Sequence, residues 1–69
     1  MSSRQLKFAE LIMLGMWQTK AYKAAGYAWR GMHRKTLYAE SYRLKHNWKV
    51  QEWIRRVREA YHEAAAKSR

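Results

Sequence analysis

Apolar residues recur at three- and four-residue steps through almost the whole chain, and no proline interrupts them. That spacing is the period of an α-helix, and the strict alternation of a half-buried strand is missing. The fold class this dictates is all-α: a small four-helix domain containing a helix-turn-helix. With 69 residues, 48% hydrophobic and 14% aromatic, the chain has material for one thin core and no second lobe, so residues 1–69 are read as a single domain.

The helix ends are written in the sequence. The first helix is expected over residues 3–14, opening at Ser2 or Ser3, either of which can accept a first-turn amide. Phe8, Leu11, Ile12 and Gly15 follow the i, i+3, i+4, i+7 series, and Gly15 ends the helix. A second, shorter helix over residues 18–25 has a small inner face of Ala21, Ala24 and Ala25, and Gly26 stops it. Residues 27–32 carry Tyr27, Trp29, Arg30 and Gly31 without helical periodicity and read as a loop. The third helix, over residues 33–45, sets Leu37, Ser41 and Leu44 on one face and Lys35, Tyr38, Ala39, Tyr42 and His46 on the other. Asn47, a good N-cap, opens the fourth over residues 48–66. There Val50, Trp53, Ile54, Val57, Tyr61 and Ala64 form the strongest apolar stripe of the chain. The opposite face, with Glu52, Arg55, Arg56, Glu59 and Glu63, mixes signs at i+3 and i+4, as a solvated helix does. Trp53 is expected in the core and Trp17 and Trp48 at its edges, while Trp29 either contacts a ligand or docks on the domain.

Several chemistries lack their residues. There is no cysteine, hence no disulfide and no thiolate zinc site, and His33, His46 and His62 have no spacing that puts two on one helical face. Three scattered glycines make no phosphate loop, and no acid or nucleophile is placed to work with a histidine. The expectation is no enzyme, no catalytic residue, no cofactor and no metal. No apolar run approaches the roughly 18 residues of a membrane span, and the start MSSRQLK leads into an amphipathic pattern, so a soluble cytosolic protein with no membrane partner is expected.

Charge points to a partner. Fifteen Lys and Arg against five acidic residues give a formal +10, a self-repulsion that suits a polyanion such as double-stranded DNA. The second helix, a glycine-containing turn and the third helix have the order of a helix-turn-helix, whose second helix reads the major groove. Lys35 and His46 can meet phosphates or base edges, Tyr38 and Tyr42 can donate hydrogen bonds or lie on sugars and thymine methyls, and Ala39 lets the helix sit deep. Lys20, Lys23, Arg30 and Arg34 lie around the turn as phosphate clamps, with Arg43 and Lys45 completing the basic cluster. The plainer alternative packs Tyr38 and Tyr42 on Tyr27 and Trp29 and leaves the basic residues as solvated charges. Glu40 reads as a salt-bridge partner of a nearby Lys or Arg.

The string QLKFAELIMLGMWQTKAYKAAGY followed by KTLYAESYRLKHNWKVQEWI resembles the phage terminase small subunit. Gln5, Phe8, Gly15, Thr19, Ala21, Ala25, Gly26, Tyr27, Lys35, Thr36, Arg43, Leu44, Asn47, Val50 and Ile54 match the family pattern over residues 5–54. The segment 28–34 is longer than the usual linker, and Trp48 stands where a proline is common. The resemblance implies recognition of a viral packaging site, often as a ring, inside the cytoplasm of an infected bacterial host. It implies a large ATPase/nuclease terminase subunit as partner, a possible homo-oligomer, and Thr36 beside Lys35 at the DNA. The chain is then an isolated DNA-binding domain or a short member of the family. Two other classes stay open: a helix-turn-helix transcription regulator without a packaging role, and a basic amphipathic protein acting on membranes or another protein.

Overall fold

Ser2 sets the chain into its first helix. In the computed structural model, which describes residues 1–67, its hydroxyl accepts the Gln5 amide at 3.2 Å while the Gln5 side chain accepts the Ser2 amide at 3.3 Å. This reciprocal capping box opens α1 (Ser3–Met13). At the other end Gly15 takes φ +92°, its N–H donates to the Ile12 carbonyl at 2.9 Å, and Met16 N–H donates to the Leu11 carbonyl at 3.0 Å. Those two bonds satisfy carbonyls that a helix end leaves bare, and a side chain at Gly15 would make the left-handed turn costly.

The remaining elements follow the same local chemistry. α2 (Gln18–Ala24) is a short helix of seven residues. In the loop after it, Met32 N–H donates to the Trp29 carbonyl at 3.0 Å, with Gly31 at φ +85° in the third position of the turn, where positive φ is required. α3 (Arg34–Lys45) is capped by His33, whose Nδ1 accepts the Lys35 amide at 3.1 Å. α4 (Trp48–Lys67) starts at Asn47, whose Oδ1 accepts the Lys49 amide at 2.9 Å. The described residues contain four helices and no strand: the protein is all-α.

Every helix contributes to one core. Phe8 and Ala9 of α1, Ala21 and Tyr22 of α2, Ala25 just beyond it, Leu37 of α3, and Val50 and Ile54 of α4 are buried together. α1 packs on α2 and α4, and α3 packs on the same two helices. The three alanines among these residues let backbones approach where larger side chains would hold them apart. Two buried polar groups share one acceptor in α3, and one of them reaches it from α2. The fully buried Ser41 hydroxyl donates to the Tyr38 carbonyl at 3.0 Å, and Gln18 Nε2 donates to the same oxygen at 3.3 Å. A buried amide with no acceptor would cost the full desolvation penalty, so this bond fixes where α2 crosses α3.

Four expectations need correction. Ala24 faces solvent and Trp53 is only half-buried. Trp17 and Trp48, 55% and 71% exposed, do not cover the edges of the core. The stripe of α4 is buried only in its first half: Tyr61 is 77% exposed and Ala64 is exposed. The cause is length. A 20-residue helix runs about 30 Å, α1 and α3 are too short to flank all of it, and every described residue beyond Val57 is exposed. The molecule is accordingly 50 Å long but only 19 × 18 Å across. No helix of the described residues is long and apolar enough to cross a membrane.

Candidate nucleic-acid interface

Burial of Leu37 and Ser41 sets the rotation of α3, and with it the face turned to solvent. At 100° per residue the opposite face is Lys35, Tyr38, Ala39, Tyr42 and His46, and all five are exposed. The rings form a ladder at one-turn spacing. Tyr38 and Tyr42 are stacked with centroids 6.3 Å apart and planes 16° from parallel, and Tyr42 meets His46 at 4.3 Å. Together with Ala39 and Arg43 these rings line an open groove of about 590 Å³. Its openness suits an extended surface better than an engulfed small ligand.

The loop aromatics are turned inward and do not receive this ladder. Tyr27 stacks on Tyr22 at 4.7 Å with 15° between the planes, and Trp29 packs against the core. The packing of Tyr38 and Tyr42 on Tyr27 and Trp29 is therefore absent, and both tyrosines remain 49% exposed. Burial and the neighbouring Glu40 carboxylate push the Tyr22 hydroxyl above its ordinary pKa, with Tyr27 adding to the effect, so Tyr22 stays neutral.

The basic residues fall into three groups. Lys23 Nζ and the Arg30 guanidinium lie over the Trp29 ring, 4.3 and 5.2 Å from its centroid. Lys45 Nζ lies 5.7 Å from the Trp17 ring centroid, and Arg43 pairs with Glu40 at 3.4 Å. Lys20, Arg34 and Lys35 are exposed and in no ion pair among the described residues, and Thr36 is exposed in the first turn of α3. The structure thus joins Tyr38, Ala39, Tyr42, Arg43 and His46 in one groove and pairs Lys23 with Arg30. Lys20, Arg34, Lys35 and Thr36 do not line that groove.

Three of the five acidic residues lie on α4. Between residues 18 and 46, Lys20, Lys23, Arg30, Arg34, Lys35, Arg43 and Lys45 face the single carboxylate Glu40. On α4, Glu52 accepts from Arg55 at 2.6 Å and Arg56 at 2.9 Å, Arg55 also bonds Glu59, and Glu63 pairs with Lys67 at 3.7 Å. The hydrogen bond from Arg55, then that from Arg56, holds the Glu52 carboxyl down at about 2, and the Arg55 guanidinium is raised in turn. The charges of α4 are largely matched within the helix, whereas those of α2, the loop and α3 are not.

Trp17 is the residue that sequence reasoning misplaced. It precedes the first residue of α2, so no helical period assigns it a face; the one signal was a large ring next to a glycine-ended helix. Among the described residues no cluster of three or more metal-binding side chains exists. Comparison with protein-family models, curated proteins and solved structures gives no match to this chain.

Proposed function

We propose that the protein is a duplex-DNA-binding domain in which α2, the turn through Gly31 and α3 act as a helix-turn-helix, with α3 as the reading helix. The observation that carries this is the outward face of α3: a ladder of Tyr38, Tyr42 and His46 flanked by the cation Lys35, unpaired among the described residues, in a molecule with three of its five carboxylates on α4. Tyrosine hydroxyls and an imidazole offer hydrogen bonds to base edges, and Ala39 between the rings leaves room for close approach. The surrounding cations supply the sequence-independent part of the affinity. Recognition of a phage packaging site, on behalf of a large terminase subunit, is the narrower reading; it rests on the matched motif residues from Gln5 to Ile54.

Titration of the protein with duplex DNA at increasing potassium chloride tests the reading. Neutralising five or six phosphates should give a slope of roughly −5 in log K against log salt, and a slope near zero overturns it. Co-purification with the terminase large subunit then separates the packaging role from transcriptional regulation, which predicts no such complex.

A further inference from the structure

Four cations lie over tryptophan rings: Lys23 and Arg30 over Trp29, Lys45 over Trp17, and Lys49 over Trp48, at 4.3 to 5.8 Å from the ring centroids. One of these cations sits at the C-terminal end of α3, and another lies in the loop before it. Lys45 is its last residue, and Trp29 with Arg30 lies in the loop that leads directly into it. Trp17 is 55% exposed and lies outside the core. Lys45, by contrast, is half-buried, as expected of a lysine held down along an aromatic surface.

We infer that Trp17 is a positioning residue, holding the Lys45 ammonium ready for a DNA phosphate at the C-terminal end of α3. The ring limits the rotamers of a flexible side chain before DNA arrives, so less freedom is lost on binding. The dimensions fit: a helix of 12 residues is about 18 Å long, and the major groove is about 12 Å wide. The two ends of α3 therefore reach the backbones that bound the groove while its middle faces the bases. This inference rests on the DNA-binding reading of α3.

The test is a double-mutant cycle on a mixed-sequence duplex across a range of potassium chloride, with a thermal melt of each variant. Trp29 packs on the core, so the cycle uses Trp17, whose removal leaves the core intact. Lys45→Ala should weaken binding and lower the salt slope by about one. Trp17→Leu should weaken binding several-fold at an unchanged melting temperature and an unchanged slope, because the charge is still present. Trp17→Phe should restore most of the affinity, and Trp17→Leu should add nothing in the Lys45→Ala background. Equal losses from Trp17→Leu with and without Lys45 would mean that the ring itself touches DNA, and would overturn the inference. So would a Trp17→Leu variant that binds like the wild-type protein. If the wild-type protein itself shows no salt-dependent duplex binding, the DNA-binding reading fails first and takes this inference with it.

Discussion

Tyr38 and Tyr42 expose apolar ring surface on a helix that has a core to bury such residues in, each remaining 49% exposed. Base reading gives that exposure a use, and it separates the tyrosines from the lysines by what each can sense. A phosphate is the same at every step of the duplex, whereas groove edges differ. After selection of a preferred site from random DNA, the Tyr38→Ala, Tyr42→Ala double variant should lose about 1–3 kcal/mol of preference for that site over scrambled duplex. Lys23→Ala should weaken both targets alike and flatten the salt slope by about one. A tyrosine variant with its full preference would move the reading function to DNA shape or to the loop at Arg30. The inward and outward faces of α3 were legible in the sequence because Leu37, Ser41 and Leu44 share one side of the helical period. The Trp17–Lys45 contact was not, since it joins a residue outside any helix to one 28 positions away.

Helix boundaries were the most legible feature at the scale of elements, because caps are local chemistry. Ser2, Gly15, Gly26 and Asn47 each act where their residue type predicts, within one residue of the observed ends. His33 is less obvious, since an imidazole Nδ1 takes the role of the usual short cap. His33→Ala should therefore cost about 0.5–2 kcal/mol and His33→Asn far less, read from denaturant melts; equal losses would show that the His33 bond is idle. The buried length of α4 was illegible for a different reason: periodicity shows which face can be buried, not whether another helix is there to bury it. Ile54→Ala should cost about 2–5 kcal/mol, while Tyr61→Ser, on the same stripe, should change stability by less than about 0.5 kcal/mol. A large, concentration-dependent loss from Tyr61→Ser would mean that the distal stripe closes against another subunit. The exposed ladder of α4 has a pH signature too. Glu52 titrates at about 2 in the folded protein, below its unfolded value near 4.3. Its contribution is thus present above that unfolded value and lost as pH falls through the folded one. Glu52→Gln should reduce the fall in melting temperature over that window, and less so in high salt.

The resemblance seen in the sequence and the charge seen in the structure speak to different properties of the whole molecule. Most matched residues have architectural duties: Phe8, Ala21, Ala25, Val50 and Ile54 are core, Gly15 and Gly26 close helices, and Asn47 opens one. Those residues specify a frame, and only Lys35, Thr36 and Arg43 among the matches lie on the exposed part of α3. Function must then come from how +10 is arranged on that frame. If binding followed net charge alone, any cation would serve; if the α2–α3 side faces the DNA, position decides. Lys35 and Arg58 make a matched pair for this question. Both are exposed, neither is in an ion pair among the described residues, and replacing either with Gln removes one unit of charge. Lys35 lies on the exposed face of α3 with Tyr38 and Tyr42, and Arg58 on the half of α4 that extends past the core. Lys35→Gln should lower the salt slope by about one and weaken binding at every salt concentration. Arg58→Gln should leave the slope within error of the wild-type protein, because a charge farther from the duplex than a Debye length of about 8 Å at physiological salt is screened. Equal effects of the two substitutions would show that the duplex is held by net charge without a fixed orientation, and α3 would lose its claim to be the reading helix.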